Sequence, residues 1–278
     1  MLDEAVKFKR KSYNKKNLIS IGMFIHNLNP TLLNLGPLEI RWYGLVYVLG
    51  FLLAAYWLHK HKEKINLAKD QAWDLLFYII LGLLIGARVF MIFWQPEIYL
   101  LKPWNLIKIW EGGMSFHGGF AGAILGAYYY CRKKNLNFLT IADLISIPAI
   151  FALALGRIAN FINGELIGKP FNGKWCVVFP QYNETCRHPN MIYSFFQRMA
   201  VFGWLLFLHC KKQFKPGFIF WNLIFWEGIG RFIVDFFRQD QLYLGLSLGQ
   251  WFSLIMVIAA LFIFRKNYKD DWNRLLNL

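Results

Sequence analysis

Seven apolar stretches, each close to the roughly 20 residues an α-helix needs to cross hydrocarbon, constrain this chain more than any other feature. They run over residues 42–58, 73–94, 116–131, 141–162, 191–209, 217–236 and 248–264, with short charged linkers between most of them. Backbone inside a bilayer must satisfy its own hydrogen bonds, so such stretches become helices. The expected fold is an all-α integral membrane protein of about seven transmembrane helices, forming one domain over residues 23–264 with a tail at 265–278. Composition agrees: 57% of the 278 residues are hydrophobic, 19% are aromatic and 17% are charged. A soluble domain of this size has too little polar surface to cover so much apolar side chain. No internal repeat points to an inverted-repeat transporter.

The chain is nevertheless basic, at +15. No basic stretch is interleaved with aromatics on a soluble module, so nucleic acid is not an expected partner. In a membrane protein, positive charge marks cytoplasmic loops. The connections 59–69, 132–134 and 211–215, with the tail from Arg265, carry 14 Lys and Arg residues, against 6 in the connections 95–113, 163–190 and 237–247. The first set is therefore cytoplasmic, giving an outward N-terminus and a cytoplasmic C-terminus. Residues 1–22 run against this count, with Lys7, Lys9, Arg10, Lys11, Lys15 and Lys16. Three readings compete. Residues 18–35 form an extra span, against which Asn27, Asn29, Pro30 and Asn34 argue; the tail is translocated despite its charge; or the chain starts naturally at Met23. The third is favoured. The segment is not a clean signal peptide, because no long apolar stretch follows the charges.

Cys131 and Cys210 fall at expected helix ends near lysines, on the reduced, cytoplasmic side. Cys176 and Cys186 lie in one hydrophilic outer loop, and whether they are bonded is left open. No C-x-x-C spacing or histidine set suggests a metal.

Function in such a chain concentrates in its intramembrane polar residues, because an arginine at mid-bilayer costs about 3 kcal/mol on insertion scales. Arg41, Arg88, Arg157, Arg198 and Arg231 fall in or beside spans. Snorkelling from a helix end suffices for Arg198 and serves Arg41 about as well as any alternative. Arg88, Arg157 and Arg231 lie deeper, each after a small residue, and imply internal acids or an anionic ligand. Glu227, Arg231 and Asp235 share one helical face at spacings of four, so an intrahelical ladder could neutralise Arg231. Arg157 has no acid one turn before it and shares a face with Asn160 near the outer helix end. A lipid phosphate is its better partner, since the guanidinium fork donates two parallel hydrogen bonds. In Glu111-Gly112-Gly113-Met114-Ser115-Phe116-His117-Gly118-Gly119, glycines let a substrate approach His117, whose titration range suits proton transfer. A lone interfacial histidine is also a common structural hydrogen-bonder. Gly118, Gly122 and Gly126 form a small-residue stripe that reads as a close helix contact.

These segments together resemble the prolipoprotein diacylglyceryl transferase family of bacterial inner membranes. The resemblance runs in order from Met23 to about Phe264. It is carried by Leu38-Glu39-Ile40-Arg41-Trp42-Tyr43-Gly44, Gly86-Ala87-Arg88, the block from Gly112 to Gly119, Gly156 to Glu165, Arg187-His188-Pro189, Gly230-Arg231-Phe232 and Asp235-Phe236-Phe237-Arg238. The Gly-Arg…Asn-Phe-Ile-Asn-Gly-Glu stretch is the most specific part. Members of the family have seven spans and tend to begin near the position of Met23. The chain departs from the pattern after His188-Pro189, where Asn190, Met191 and Ser194 replace a small residue, Gln and Glu, and at Glu227, where Tyr is common.

The resemblance implies transfer of a diacylglyceryl group from phosphatidylglycerol to the lipobox cysteine of a prolipoprotein signal peptide, with glycerol phosphate released. It implies no cofactor and no metal, because the phosphate diester is already an activated leaving group. The chemistry needs a thiolate nucleophile and fixed positive donors for the departing phosphate. The expected substrate-binding residues are Arg157, Asn160 and Gly168. The expected catalytic residues are His117 as thiol base, Arg231 at the leaving group, and Glu165 and Tyr43 shaping the site. A transporter for an anionic solute is the rival from another class, and a different phospholipid-modifying transferase is the nearer one.

Overall fold

The computed structural model describes residues 24–35, 38–65, 68–108, 115–211 and 214–277. The basic extension 1–22, Met23 and the glycine-rich residues 111–114 lie outside the described residues. In chain order the elements are β1 (Phe24–Ile25), β2 (Thr31–Leu35), β3 (Leu38–Arg41), α1 (Trp42–Lys60), α2 (Lys69–Trp94), α3 (Pro96–Leu101), α4 (Phe116–Lys133), α5 (Phe138–Asn163), β4 (Val177–Val178), β5 (Cys186–Arg187), α6 (Asn190–Lys211), α7 (Phe218–Val234), β6 (Leu242–Tyr243), β7 (Leu246–Ser247), α8 (Leu248–Asn267) and α9 (Lys269–Leu276). Strands are short and lie outside the long helices. The first two of them overturn the reading of 18–35 as an extra span, because Thr31–Leu35 pairs as a strand with Leu38–Arg41. The asparagines and Pro30 there favour turn and extended backbone over helix.

Among the described residues, five helices are long and apolar enough to cross a membrane: α1, α2, α5, α6 and α8. The third and sixth expected stretches are also helical, as α4 with 18 residues and α7 with 17. The multi-pass character is thus built into the fold. Large apolar side chains such as Tyr56, Phe77, Ile85, Leu125 and Phe262 stand exposed on the helix surfaces, as lipid-facing residues must.

The glycine stripe of α4 does what its spacing predicts. Gly118, Gly122 and Gly126 meet Gly82, Gly86 and Tyr78 of α2 backbone to backbone. A Cβ on Gly122 would lie 2.0 Å from the Gly82 carbonyl oxygen, and one on Gly86 would lie 2.3 Å from that of Gly118. α4 is the less apolar for it, having small residues where other long helices carry large ones. Arg88 of α2 is buried beside this contact. It donates to the Tyr99 hydroxyl at 3.3 Å and to the Lys108 carbonyl, tying down the segment after α2.

Two apolar clusters fill the bundle. One joins α1, α2, α4 and α5 through Leu58, Leu75, Tyr130 and Ile141; the other joins α5 to α8 through Ile150, Leu205, Phe218, Ala260 and Phe264. At one end, the α5 residue Asp143 accepts from Gly217 and Phe220 backbone N–H groups, each at 2.7 Å, and so caps the start of α7. That capping fixes α7 against α5, the two helices that carry the site described below.

At the opposite end sits a small cap. β1 pairs parallel with β4, and β4 antiparallel with β5. Cys176 and Cys186 are bonded to each other within it, Cα atoms 5.5 Å apart. A His26 ring nitrogen bonds to the Phe161 carbonyl at 2.6 Å, clamping the segment before α1 onto the last turn of α5. Asn137 caps the start of α5 and Gly164, at φ +66°, ends it in the left-handed conformation glycine adopts without strain.

Candidate active site

The cap end of α5 carries the centre of the site. Arg157 Nη1 donates to Asn160 Oδ1 at 3.4 Å, Asn160 Nδ2 to Glu165 Oε2 at 3.1 Å, and Asn163 Nδ2 to Glu165 Oε1 at 3.0 Å. The helix turn supplies the first link, because residues three apart share a face. Gly164 supplies the rest, reversing the chain so that Glu165 comes back under both asparagines. Glu165 thereby fixes which way the Asn160 amide points, with its oxygen toward the guanidinium.

Around this relay guanidiniums and carboxylates are interleaved. The guanidiniums of Arg198, Arg231 and Arg238 and the carboxylate of Glu227 all act electrostatically on Arg157. Arg231 lies 3.6 Å from Asp235 Oδ2, and Arg238 lies 3.0 Å from Asp240. Gly249, in the first turn of α8, covers the Arg231–Asp235 pair closely; a Cβ there would come within 2.4 Å of Asp235 Oδ2. Arg231, Arg238, Asp240, Tyr243, Ser247 and Gly249 are among the residues lining a cleft of about 220 Å³.

Two sequence readings change here. Arg198 does not snorkel. Its side chain is 2% exposed and forms an ion pair with Glu227 of the facing helix, with further bonds to Ser194. Snorkelling fails because Arg198 lies on the inward face of α6, where a buried carboxylate is nearer than the helix end. Glu227 consequently leaves the expected ladder on its own helix, and Arg231 is matched by Asp235 alone of the two.

The remaining expected residues take distinct places. Gly168 sits where the cap meets the chain after α7: it bridges to Arg238, and a Cβ on it would lie 2.3 Å from the His188 carbonyl oxygen. Arg187 Nη1 donates to the Gly168 carbonyl at 3.1 Å. The Tyr43 hydroxyl accepts from that of Tyr47 at 3.2 Å, and Tyr47 lies within electrostatic reach of both Arg157 and Glu165. His117 is in the first turn of α4, whose start is capped by Ser115 and tied to the Ala87 carbonyl at 3.1 Å. Its side chain lies outside what the structure describes. Sequence reasoning named Arg198 and Arg238 without giving either a place in the site, and missed Tyr47, which could have been found from its i+4 spacing to Tyr43. Among the described residues, no three His, Cys, Asp or Glu side chains converge as metal ligands.

His188, in the cap, stacks on Phe171 at 3.9 Å between ring centroids and meets the Tyr193 hydroxyl at 3.1 Å. Burial holds its imidazole below the ordinary histidine pKa. It supports the cap next to Gly168.

A guanidinium that bonds to a neutral, oriented amide, with three further guanidiniums near it, is built to hold an anion with several oxygens. Comparison with known proteins agrees. A family model described as prolipoprotein diacylglyceryl transferase matches residues 30–265. A curated relative from Legionella pneumophila, named phosphatidylglycerol–prolipoprotein diacylglyceryl transferase, is 37% identical over 247 residues, 85% of this chain and 96% of the relative. Relatives of the same name from Geobacter sulfurreducens and Polynucleobacter asymbioticus are 37% and 35% identical, covering 84% and 89% of this chain and 94% and 100% of theirs. The match spans both arms of the arginine cluster, from α5 through α7, and on that ground the chain belongs to the prolipoprotein diacylglyceryl transferase family.

Proposed function

We propose that this chain moves the sn-1,2-diacylglyceryl group of phosphatidylglycerol onto the lipobox cysteine thiol of a prolipoprotein signal peptide. The setting is the bacterial inner membrane, with α4 and α7 completing seven spans, the N-terminus outside and the C-terminus cytoplasmic. At 1.5 Å per residue α7 is about 26 Å long, enough to cross the core together with the turn that follows it. The observation that carries the reading is the Arg157–Asn160–Glu165 relay set among further guanidiniums at the cap end of the bundle.

The thiolate sulfur attacks the glyceryl carbon bearing the phosphate ester. A carbon–sulfur bond forms, the carbon–oxygen bond breaks, and the electron pair leaves with glycerol phosphate. Arg157 and Asn160 hold the phosphate before and during this step. Arg231 meets the charge that develops on the leaving oxygen from α7, with Asp235 fixing its direction. His117 takes the thiol proton, while Tyr43 and Gly168 shape the walls. A donor or base of this kind contributes on the order of 10²-fold or more in rate.

The test uses membranes carrying the chain, phosphatidylglycerol and a lipobox peptide. Peptide mass and glycerol phosphate are followed together. A diacylglyceryl gain that disappears in Arg157→Ala supports the assignment. Normal turnover by Arg157→Ala would remove the phosphate role from this residue, and no gain with correctly inserted protein would sink the reaction itself.

A further inference from the structure

The connection from α7 to α8 ends in a hairpin whose tip is chemically out of place in water. β6 and β7 pair antiparallel through Leu242–Ser247 and Tyr243–Leu246, joined by Leu244 and Gly245 at φ +52° and +83°. Two central residues at positive φ make the turn that matches strand twist, and its first position favours Asn, Asp or Gly. A branched apolar residue there is strained. This chain places leucine at that position and leaves the residue 95% exposed. Water would select the opposite residue on both counts.

We propose that this tip inserts into the hydrocarbon of the leaflet on the cap side, forming a lipid-facing lip beside the cleft of Arg231 and Arg238. The inference rests on the membrane setting and on the phosphate site proposed above. Three observations make acyl chains the occupant. First, the elements on either side of the hairpin also expose apolar side chains: Ile233 and Phe236 at the end of α7, and Leu248 and Ile255 on α8, a helix long and apolar enough to span, are exposed like Leu242 and Leu244. Second, polarity is graded along the hairpin. Arg238 and Asp240 pair at its root, Tyr243 and Trp251 stand next with the indole N–H donating to the Tyr243 carbonyl at 2.9 Å, and leucine is at the tip. That order of charge, amphipathic aromatic and hydrocarbon side chain reproduces the profile from headgroup to acyl chain. Third, Tyr243 and Leu248 line the cleft itself, so the hairpin forms one of its walls. A lipid whose chains lie against the lip has its phosphate at the cleft.

The proposal is tested with the full chain in phosphatidylglycerol vesicles. Cys131 is buried and Cys176 and Cys186 are bonded, so Leu244→Cys in a Cys210→Ser background takes a single nitroxide label. Collisional access to oxygen and to a water-soluble nickel chelate is compared with labels at Ile258→Cys on α8 and Lys174→Cys in the cap. Oxygen-favoured access at 244, resembling 258, is the expected result. Chelate access at 244 equal to that at 174, with 258 protected, overturns the lip. Chelate access at 258 as well overturns the membrane setting and the lip with it. Protection of 244 that begins only when a lipobox peptide is added assigns the tip to the peptide's apolar segment and overturns a lipid occupant. Activity gives a second readout, because Leu244→Asn suits the backbone while removing the apolar side chain. We expect a several-fold loss of turnover on bilayer phosphatidylglycerol and none on a short-chain form dispersed as monomers; equal loss on both would overturn the lip.

Discussion

Arg198 of α6 and Glu227 of α7 form an ion pair across the interface of two packed helices, with side chains only 2% and 12% exposed. Removing one member of such a pair strands a charge in a poor solvent, whereas replacing both by apolar groups does not. Glu227→Ala is therefore expected to cost about 3–5 kcal/mol, and Arg198→Met with Glu227→Leu to recover most of it. Thermal unfolding in detergent reads both; a stable Glu227→Ala protein would show that the pair contributes nothing.

The relay from Arg157 to Glu165 makes a separate prediction about charge. Asn160→Asp places a second carboxylate against Glu165 and one turn from Arg157. Turnover should fall on the order of 10²-fold, as for loss of an oriented donor at the reacting phosphate. Adding Glu165→Gln restores a hydrogen bond between positions 160 and 165 but not the neutral amide beside Arg157. The double variant should regain thermal stability and remain slow. Full recovery of kcat/KM for phosphatidylglycerol would reduce Glu165 to a geometric prop.

Close packing of α2 on α4 is the least forgiving contact in the fold. Gly122→Val puts a branched side chain where the Gly82 carbonyl stands 2.0 Å from the first added carbon. Backbone cannot yield as a flexible side chain does, so the loss should equal or exceed the ~1–3 kcal/mol usual for overpacking. Gly44→Ala, where a Cβ meets nothing within 4 Å, should be tolerated. Yields and melting temperatures of the two variants decide the point.

The cap should loosen in acid. Burial lowers the His188 pKa in the folded protein, so the unfolded cap binds the proton more readily. The stabilisation is full above the ordinary histidine value of about 6.5 and is lost as pH falls through that value towards the lowered one. Phe171, Tyr193 and Phe237 face the ring, and His188→Phe keeps their packing without a titrating group. Hydrogen exchange of the cap between pH 7 and 5 should rise in the parent and stay level in this variant.

Much of this architecture was legible in the chain itself, for reasons that differ from residue to residue. Apolar runs near span length and the Gly118–Gly122–Gly126 spacing are local signals, and the structure bears them out as helices and as a close contact. Arg157 and Asn160 were legible as neighbours because one helical turn separates them. Glu165 entered only through the family resemblance, because the reversal at Gly164 that brings it back carries no periodic signal. Arg198 was misread because its partner lies 29 residues away on another helix, and sequence position shows distance from a helix end rather than the face presented. The bond between Cys176 and Cys186 stayed open for a similar reason: a hydrophilic loop does not reveal its own strand pairing. The contact of Phe24–Ile25 with Val177–Val178 joins segments about 150 residues apart, beyond any periodic signal.

That last pairing has a consequence for how the protein is made. A ribosome delivers residues 24–25 long before 177–178, and the two strands can meet only when both have reached the same face of the membrane. On the seven-span topology proposed above, the four long helices between them must by then have been threaded with an even number of crossings. The parallel β1–β4 contact, with the Cys176–Cys186 bond beside it, therefore works as a latch that closes only on a correctly inserted chain. A molecule with one helix left out of the bilayer has its two halves of the latch on opposite sides, and its arginine cluster is never capped.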